Sequence, residues 1–142
     1  MSHDWINAKI DKDRLNLLFK RLRAADLMAR QDFMCCGGCG HSQCHIDLHD
    51  DNKPRSNQAG YVFYHNQSTW GALNGGDLHL YYGGRDDEID SAAIGQRITN
   101  IALQLGFNVT WNGSEHTAVA LTGMGDYCME IRDWVGHLEV GA

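Results

Sequence analysis

No stretch of the 142 residues approaches the ~20 consecutive apolar residues that a membrane helix needs, so a helical membrane span is not expected. The opening residues, Met1-Ser2-His3-Asp4-Trp5, carry neither the basic segment nor the apolar run of a secretory signal, which points to the cytoplasm. Basic residues are few: 12 Lys and Arg stand against 18 Asp and Glu, a formal net charge of −6. Affinity for phosphate backbones comes from clustered Lys and Arg, so general nucleic-acid binding is not expected either. An acidic surface suits solubility or a basic protein partner. The five cysteines are odd in number, and a cytosolic location keeps thiols reduced, so a fully paired disulfide framework is not expected.

Several motifs are missing as well. Gly71 to Gly84 holds several glycines but no GxGxxG or GxxxxGK[ST] arrangement, which leaves nucleotide binding without support. The carboxylates Asp86, Asp87, Glu88 and Asp90 lack the spaced pattern and later Glu of an EF-hand loop. They read as the solvated start of a helix, where negative charge is favoured by the dipole. No internal repeat is present.

What is there is ordinary globular composition, 43% hydrophobic and 21% charged, at a length that suits a single domain over 1–142. From about Asp11 to Ala29, Leu15, Leu18, Leu22, Ala25 and Ala29 recur at helical spacing, with Asp11 or Asp13 able to cap the start. From Cys35 to about Ala59 the apolar pattern stops, and Gly, His, Asp, Asn and the only proline, Pro54, take over. That predicts a long Cys/His-rich loop, a kind of segment usually functional or held by something else. Tyr61 to His65 and Leu78 to Tyr82 read as strands. Ile94, Ile98, Ile101, Ala102 and Leu105 form the stripe of a second helix, with Ser91 as its cap and Gly106 at its end.

Phe107 to Trp111 alternates like a strand, Asn112-Gly113 opens a hairpin, and Thr117 to Leu121 returns. Tyr127 to Ile131 and His137 to Val140, within the weakly patterned tail 123–142, read as short strands or a terminal excursion. Together these predict an α+β fold, with a small, mostly antiparallel sheet of about four strands packed against two amphipathic helices.

The richest chemistry lies between Cys35 and His45, where four cysteines and two histidines fall within eleven residues and His49 follows. Cys36 and Cys39 have the spacing of a zinc knuckle, and Gly37-Gly38 lets the backbone turn tightly enough for both sulfurs to meet one ion. Zinc wants four ligands, and the soft donors favour it over magnesium or calcium. Cys44 and His45 are the preferred local additions, with Cys35, His41, His49 and the more distant His65 as other donors. Cys35 adjoins Cys36 and the two side chains tend to diverge, which suits a buried, inert role. No second CxxC or HxxxH pair stands at finger spacing, so three readings remain open: a structural metal, metal-free reduced cysteines lining a turn, and a redox or catalytic thiol. A CxxC oxidoreductase places its motif at a strand–helix junction, whereas here the motif follows a helix and enters a loop, which counts against that chemistry.

Two further candidates stand outside the cluster. His65 ends an aromatic strand and precedes the polar run Asn66-Gln67-Ser68-Thr69, so it is a candidate catalytic base beside Cys36, or a hydrogen-bonded structural residue. Trp111 suits core or hairpin packing, and any exposed tryptophan among Trp5, Trp70 and Trp134 could anchor a partner.

Phe33 with CCGGCG at Cys35 to Gly40, GYVFYHNQ at Gly60 to Gln67, LHLYYG at Leu78 to Gly83, IGQRI at Ile94 to Ile98 and GFNVTWNG at Gly106 to Gly113 occur in that order. In these blocks the chain resembles an uncharacterised family of small bacterial proteins known as a domain of unknown function, over about Arg14 to Leu121. The resemblance implies that the cysteines, the His65 strand and the Asn112-Gly113 turn share one architecture, and it implies no activity. Ser68-Thr69-Trp70 departs from that family's pattern, which tends to an acidic residue here; the stretch His41 to His49 and the tail after Gly123 are particular to this chain.

The functional expectation is a cytoplasmic binding or regulatory protein with a structural zinc at Cys36, Cys39, Cys44 and His45 and a protein partner. A phage or mobile-element inhibitor of a host protein complex would fit its size and acidity. The alternatives are a metal- or cysteine-dependent enzyme using the cluster with His65, and a thiol redox protein using Cys36 and Cys39.

Overall fold

The computed structural model describes residues 2–73 and 77–122, with side chains from Lys12 onward. In chain order the elements are helix α1 (Ser2–Ala24), strand β1 (Leu27–Arg30), helix α2 (Gly37–Leu48), strand β2 (Gly60–Phe63), helix α3 (Asn66–Leu73), strand β3 (Leu78–Gly84), helix α4 (Ser91–Gln104) and strands β4 (Asn108–Thr110) and β5 (Val119–Thr122). The strands form one sheet in the order β1-β2-β3-β5-β4. Only β1 and β2 run parallel; the other neighbours are antiparallel, so the expected α+β class with a mostly antiparallel sheet holds.

Residues alternate across a strand, and each face of this sheet has its own apolar cluster. On one face Ala29, Val62, Tyr64, Leu78, Leu80, Tyr82, Val119 and Leu121 meet Leu15, Leu18, Phe19 and Leu22 of α1 and Ile94, Ile98 and Ala102 of α4. On the other, Met28, Tyr61 and Phe63 meet Cys44 and Leu48 of α2, with Phe33 and Tyr81 at the margin. The helices thus lie on both sides of β1, β2 and β3.

Five of the expected elements are found in place. The four anticipated strands correspond to β2, β3, β4 and β5, and the second anticipated helix is α4. Gly106 follows α4 at φ +87° and Gly113 shapes the β4–β5 hairpin at φ +84°, both in the left-handed region that glycine enters without steric cost. The cap of α4 differs from expectation. The Asp90 carboxylate accepts the amide of Ala92 at 3.0 Å, while the Ser91 hydroxyl accepts the amide of Gly84 and so ties α4 to the end of β3.

Three expectations are corrected. The first helix starts at Ser2 and stops at Ala24, because Asp26 turns into the left-handed region at φ +69°, a conformation that short polar Asp tolerates. Leu27, Met28 and Ala29 then form β1 rather than a last helical turn. All three are buried because this strand is covered on both faces, which erases the alternation that would have marked it. The expected long loop from Cys35 contains the twelve-residue helix α2, and the polar run from Asn66 opens a further helix, α3, to which the sequence pattern assigns no element. The anticipated strands at Tyr127 to Ile131 and His137 to Val140 lie outside the described residues.

Helix α2 seats on the sheet through a missing side chain. A Cβ built at Gly40 would lie 2.2 Å from the Phe63 ring, so only glycine lets the helix approach this closely. At Gly38, two residues earlier, a Cβ would meet nothing within 4 Å. Gly40→Ala is therefore expected to cost about 1–3 kcal/mol by overpacking, lowering the unfolding midpoint by several degrees in calorimetry. Gly38→Ala in the same experiment is expected to leave the midpoint unchanged or raise it, since alanine favours helix by up to ~1 kcal/mol.

Candidate metal and thiol site

The cysteine motif lies at the junction of a strand-derived loop and a helix. After β1 the chain passes through Asp32 and Met34, both left-handed at φ +49° and +66°, and reaches Cys35. Left-handed backbone at a non-glycine residue persists only where the surroundings enforce it. Here the amide of Phe33 donates to the Tyr64 carbonyl at 2.8 Å, and that of Asn66 to the Met34 carbonyl at 3.0 Å. The Thr69 hydroxyl donates to the Asp32 carboxylate at 2.7 Å. The start of α3 thus clamps the loop that delivers the cysteines.

Cys36 is the extended N-cap of α2, and the amide of Gly40 closes the first turn on its carbonyl at 3.0 Å. The sulfurs of Cys35, Cys36 and Cys39 all lie within 4.8 Å of one another, and those of Cys35 and Cys36 are 3.8 Å apart. Cys35 and Cys39 are exposed and Cys36 is half-buried. Their protons are held unequally. The backbone amide of Cys39, with the thiols of Cys39 and Cys35, pulls Cys36 below the ordinary thiol range. The hydrogen bonds to Cys36 and Cys35, and the charges of those two groups, push Cys39 up to about 11. One thiolate beside a protonated neighbour is a nucleophile with a partner in reach, and three thiolates together are a soft metal cradle.

Of the expected donors, Cys36 and Cys39 are thus brought together, whereas Cys44 and His45 are not in the same group. Cys44 packs at 0% exposure among Met28, Leu48, Tyr61 and Phe63, and burial pushes its thiol up to about 12. His45 leans on Tyr61, its Nε2 3.4 Å from the phenol oxygen. One turn earlier on α2, His41 places Nδ1 2.6 Å from the same oxygen. Burial, then the charges of His45 and His65, hold His41 below the usual imidazole range, and burial with Cys44 raises Tyr61. A Cβ at Gly83 would come within 2.5 Å of the Tyr61 hydroxyl, so that glycine makes room for it.

His65 is nine-tenths buried and stacks on Tyr81 with ring centroids 5.0 Å apart. Its Nδ1 accepts the amide of Ser68 at 3.2 Å, which makes it the cap of α3, and burial, then His79, lowers its pKa. The expected catalytic base thus has a structural bond. His49 lies against Arg85 at the opposite end of α2. Trp111 packs on the first apolar cluster and donates Nε1–H to the Tyr82 hydroxyl at 2.9 Å, as its packing role predicts, while Trp70 is exposed.

Adjacency to Cys36 suggests a buried, inert Cys35, and the structure instead places it exposed beside Cys36. The motif also stands between a strand and a helix, contrary to expectation, because neither β1 nor α2 carries a local pattern that marks it. The doubled cysteine before CxxC was the signal available for the third sulfur.

Residues 1–125 match a family described as a domain of unknown function, DUF6891. The chain belongs to that family. No curated protein and no solved structure matches it. The DUF6891 match spans every described element, from α1 to β5, and the whole cysteine cluster. Among the described residues no helix is long and apolar enough to cross a membrane.

In this DUF6891 domain the far end of α2 is fixed by charge. Arg30 at the end of β1 meets Asp47 at 2.8 Å and lies over the Phe33 ring at 4.4 Å. Gln43 donates to the same carboxylate at 2.9 Å. Burial pushes the Asp47 pKa up, but the hydrogen bonds from Arg30 and Gln43 and the charges of Arg30 and Lys53 outweigh it and leave it lowered from 3.8. A carboxylate depressed on folding adds stability above its unfolded pKa, and that stability is lost as pH falls through the folded value. The unfolding midpoint is therefore expected to drop as pH falls from about 5 to about 3, and to drop less steeply in Asp47→Asn, as read by thermal melts across that range.

Proposed function

We propose that this domain is a metal-binding regulatory protein in which Cys35, Cys36 and Cys39 hold a thiophilic ion, zinc first among them, at the exposed start of α2. The observation that carries the reading is the spacing of the sulfurs. Zinc–sulfur bonds of about 2.3 Å at tetrahedral angles put ligand sulfurs about 3.8 Å apart. The Cys35–Cys36 separation is already 3.8 Å, and the third sulfur needs to close from no more than 4.8 Å. All three cysteines reach solvent to some degree, so an ion could enter without unfolding the core.

Three protein donors leave a fourth tetrahedral position for water or a donor from a protein partner. This differs from the closed four-ligand arrangement typical of a structural zinc. A partner that completes the tetrahedron fits a binding role better than a catalytic one, because His65, the base an enzyme would use, is packed under α3. In the inhibitor reading drawn from size and acidity, this domain is the phage or mobile-element inhibitor and the partner is a host protein complex.

Cobalt(II) titration of the reduced chain under nitrogen tests the reading. One equivalent is expected to bind with strong sulfur-to-cobalt absorption in the near ultraviolet. Cys36→Ser and Cys39→Ser should each weaken binding at least tenfold, while Cys44→Ala and His45→Ala leave it unchanged. Affinity should fall steeply as pH is lowered, because each ligand thiol must lose a proton to bind. Absence of saturable cobalt binding would overturn the reading, and loss of binding in His45→Ala would restore Cys44 and His45 to the ligand set.

A further inference from the structure

The same three sulfurs carry a second chemistry. We infer that Cys36 and Cys39 form a reversible disulfide by exchange with a small-molecule disulfide, and that this disulfide and the bound metal are mutually exclusive states of one site. The inference stands on the position of the pair. Cys36 closes the loop after β1 and Cys39 sits in the first turn of α2, so the motif occupies the strand–helix junction that dithiol chemistry uses. Their sulfurs are within 4.8 Å, and a disulfide needs about 2.05 Å, a closure that rotation about the Cα–Cβ bonds can supply. Gly37 and Gly38 span the pair; a Cβ at Gly38 would meet nothing, so the turn has room to adjust.

The sulfurs of Cys35 and Cys36 are also near, at 3.8 Å, but a bond between adjacent cysteines closes an eight-membered ring through one peptide unit. That forces the peptide away from its planar trans geometry, which is costly. Cys44 is fully buried and cannot be reached. Cys39 is also within 4.8 Å of Cys35, but Cys36 is the helix N-cap and is joined to Cys39 by the Gly37-Gly38 turn alone, so the pairing is Cys36 with Cys39 and Cys35 remains a free thiol.

With oxidised glutathione as the disulfide, the Cys36 thiolate attacks one glutathione sulfur. A mixed disulfide forms and a glutathione thiolate leaves. Cys39, losing its proton to that thiolate, then attacks the Cys36 sulfur and displaces the second glutathione thiolate, which takes a proton from solvent. The two protein thiols are oxidised by two electrons and the glutathione disulfide is reduced to two thiols. In the metal-loaded site the same electron pairs are donated to the ion, so forming the sulfur–sulfur bond removes two of its three ligands and the ion leaves as a cation. That release rests on the metal reading; the disulfide itself does not.

The test uses the full chain, reduced and metal-free, incubated with oxidised glutathione, alkylated and analysed by intact mass and peptide mapping. A majority of molecules are expected to carry one internal disulfide mapped to Cys36 and Cys39, with Cys35 alkylated. Cys39→Ser, an exposed change, should stop at a stable glutathione adduct on Cys36. A disulfide mapped to Cys35–Cys36 or Cys35–Cys39, a bond to Cys44 or Cys128, or a wild-type chain that stops at the adduct would each overturn the inference. A parallel sample loaded with zinc, read with a chromogenic indicator, should release one zinc per disulfide formed. Disulfide formation in a chain that never takes up zinc would sink the metal reading and keep the disulfide; zinc uptake without disulfide formation would do the reverse. Disulfide formation with zinc retained would overturn the exclusivity.

Discussion

The close approach of α2 to the Phe63 ring is the constraint from which the site follows. Gly40 has no Cβ where one would lie 2.2 Å from that ring, whereas a Cβ at Gly37 would meet Tyr81 at an ordinary 3.7 Å. Three glycines in one turn, Gly37, Gly38 and Gly40, give up helix propensity, by roughly 1 kcal/mol each relative to alanine. Burial of Cys44 and Leu48 against Met28, Tyr61 and Phe63 offsets that loss, so α2 is a helix because it is packed and not because its residues prefer it. The same packing sets where its first turn begins, and so where Cys36 and Cys39 stand. Arg30 and Asp47 hold the other end of the helix to the end of β1, which leaves it little freedom to slide along the sheet.

Burial sorts the cysteines of this short segment into two kinds. Cys44 faces the sheet, where apolar surroundings disfavour the thiolate, and it acts as a small hydrophobe. Cys35, Cys36 and Cys39 lie at the exposed start of the same helix, where the backbone amide of Cys39 favours negative charge on the Cys36 sulfur. Seven residues, Gly37 to Gln43, separate the inert Cys44 from the reactive Cys36. Proximity in sequence is therefore a poor guide to which cysteines act together.

That contrast explains what was legible in the sequence and what was not. The α4 stripe, the aromatic β2 and β3 and the Asn112-Gly113 hairpin were read because local pattern and tertiary role agree there. Helix α2 was hidden because Gly37, Gly38 and Gly40 look like punctuation, and because Cys44 does not register as an apolar anchor beside Leu48. Strand β1 was hidden because Leu27 to Ala29, buried on two faces, continues the helical spacing of α1 by coincidence. Missing these two elements removed the strand–helix junction, and with it the geometric reason for pairing Cys36 with Cys39. The meeting of His41 and His45 on Tyr61 depends on the α2–β2 contact, and no spacing rule within one segment could have shown it.

The metal and disulfide states compete because both draw on the same electron pairs, and the fold makes that competition local. The loop before Cys35 is clamped by Asp32, Asn66 and Thr69, and the helix after Cys39 is seated by Gly40, so change at the sulfurs is confined to the short turn between. A thiolate site with three donors is also less committed to its ion than a closed four-donor site, since an entering ligand or oxidant can approach through the open position. An exposed, incomplete and closely spaced set of sulfurs on a rigid seat thus suits exchange, of metal or of electrons, better than permanent structural support. The core already has that support from two apolar clusters on opposite faces of one sheet, and neither depends on the exposed cysteines.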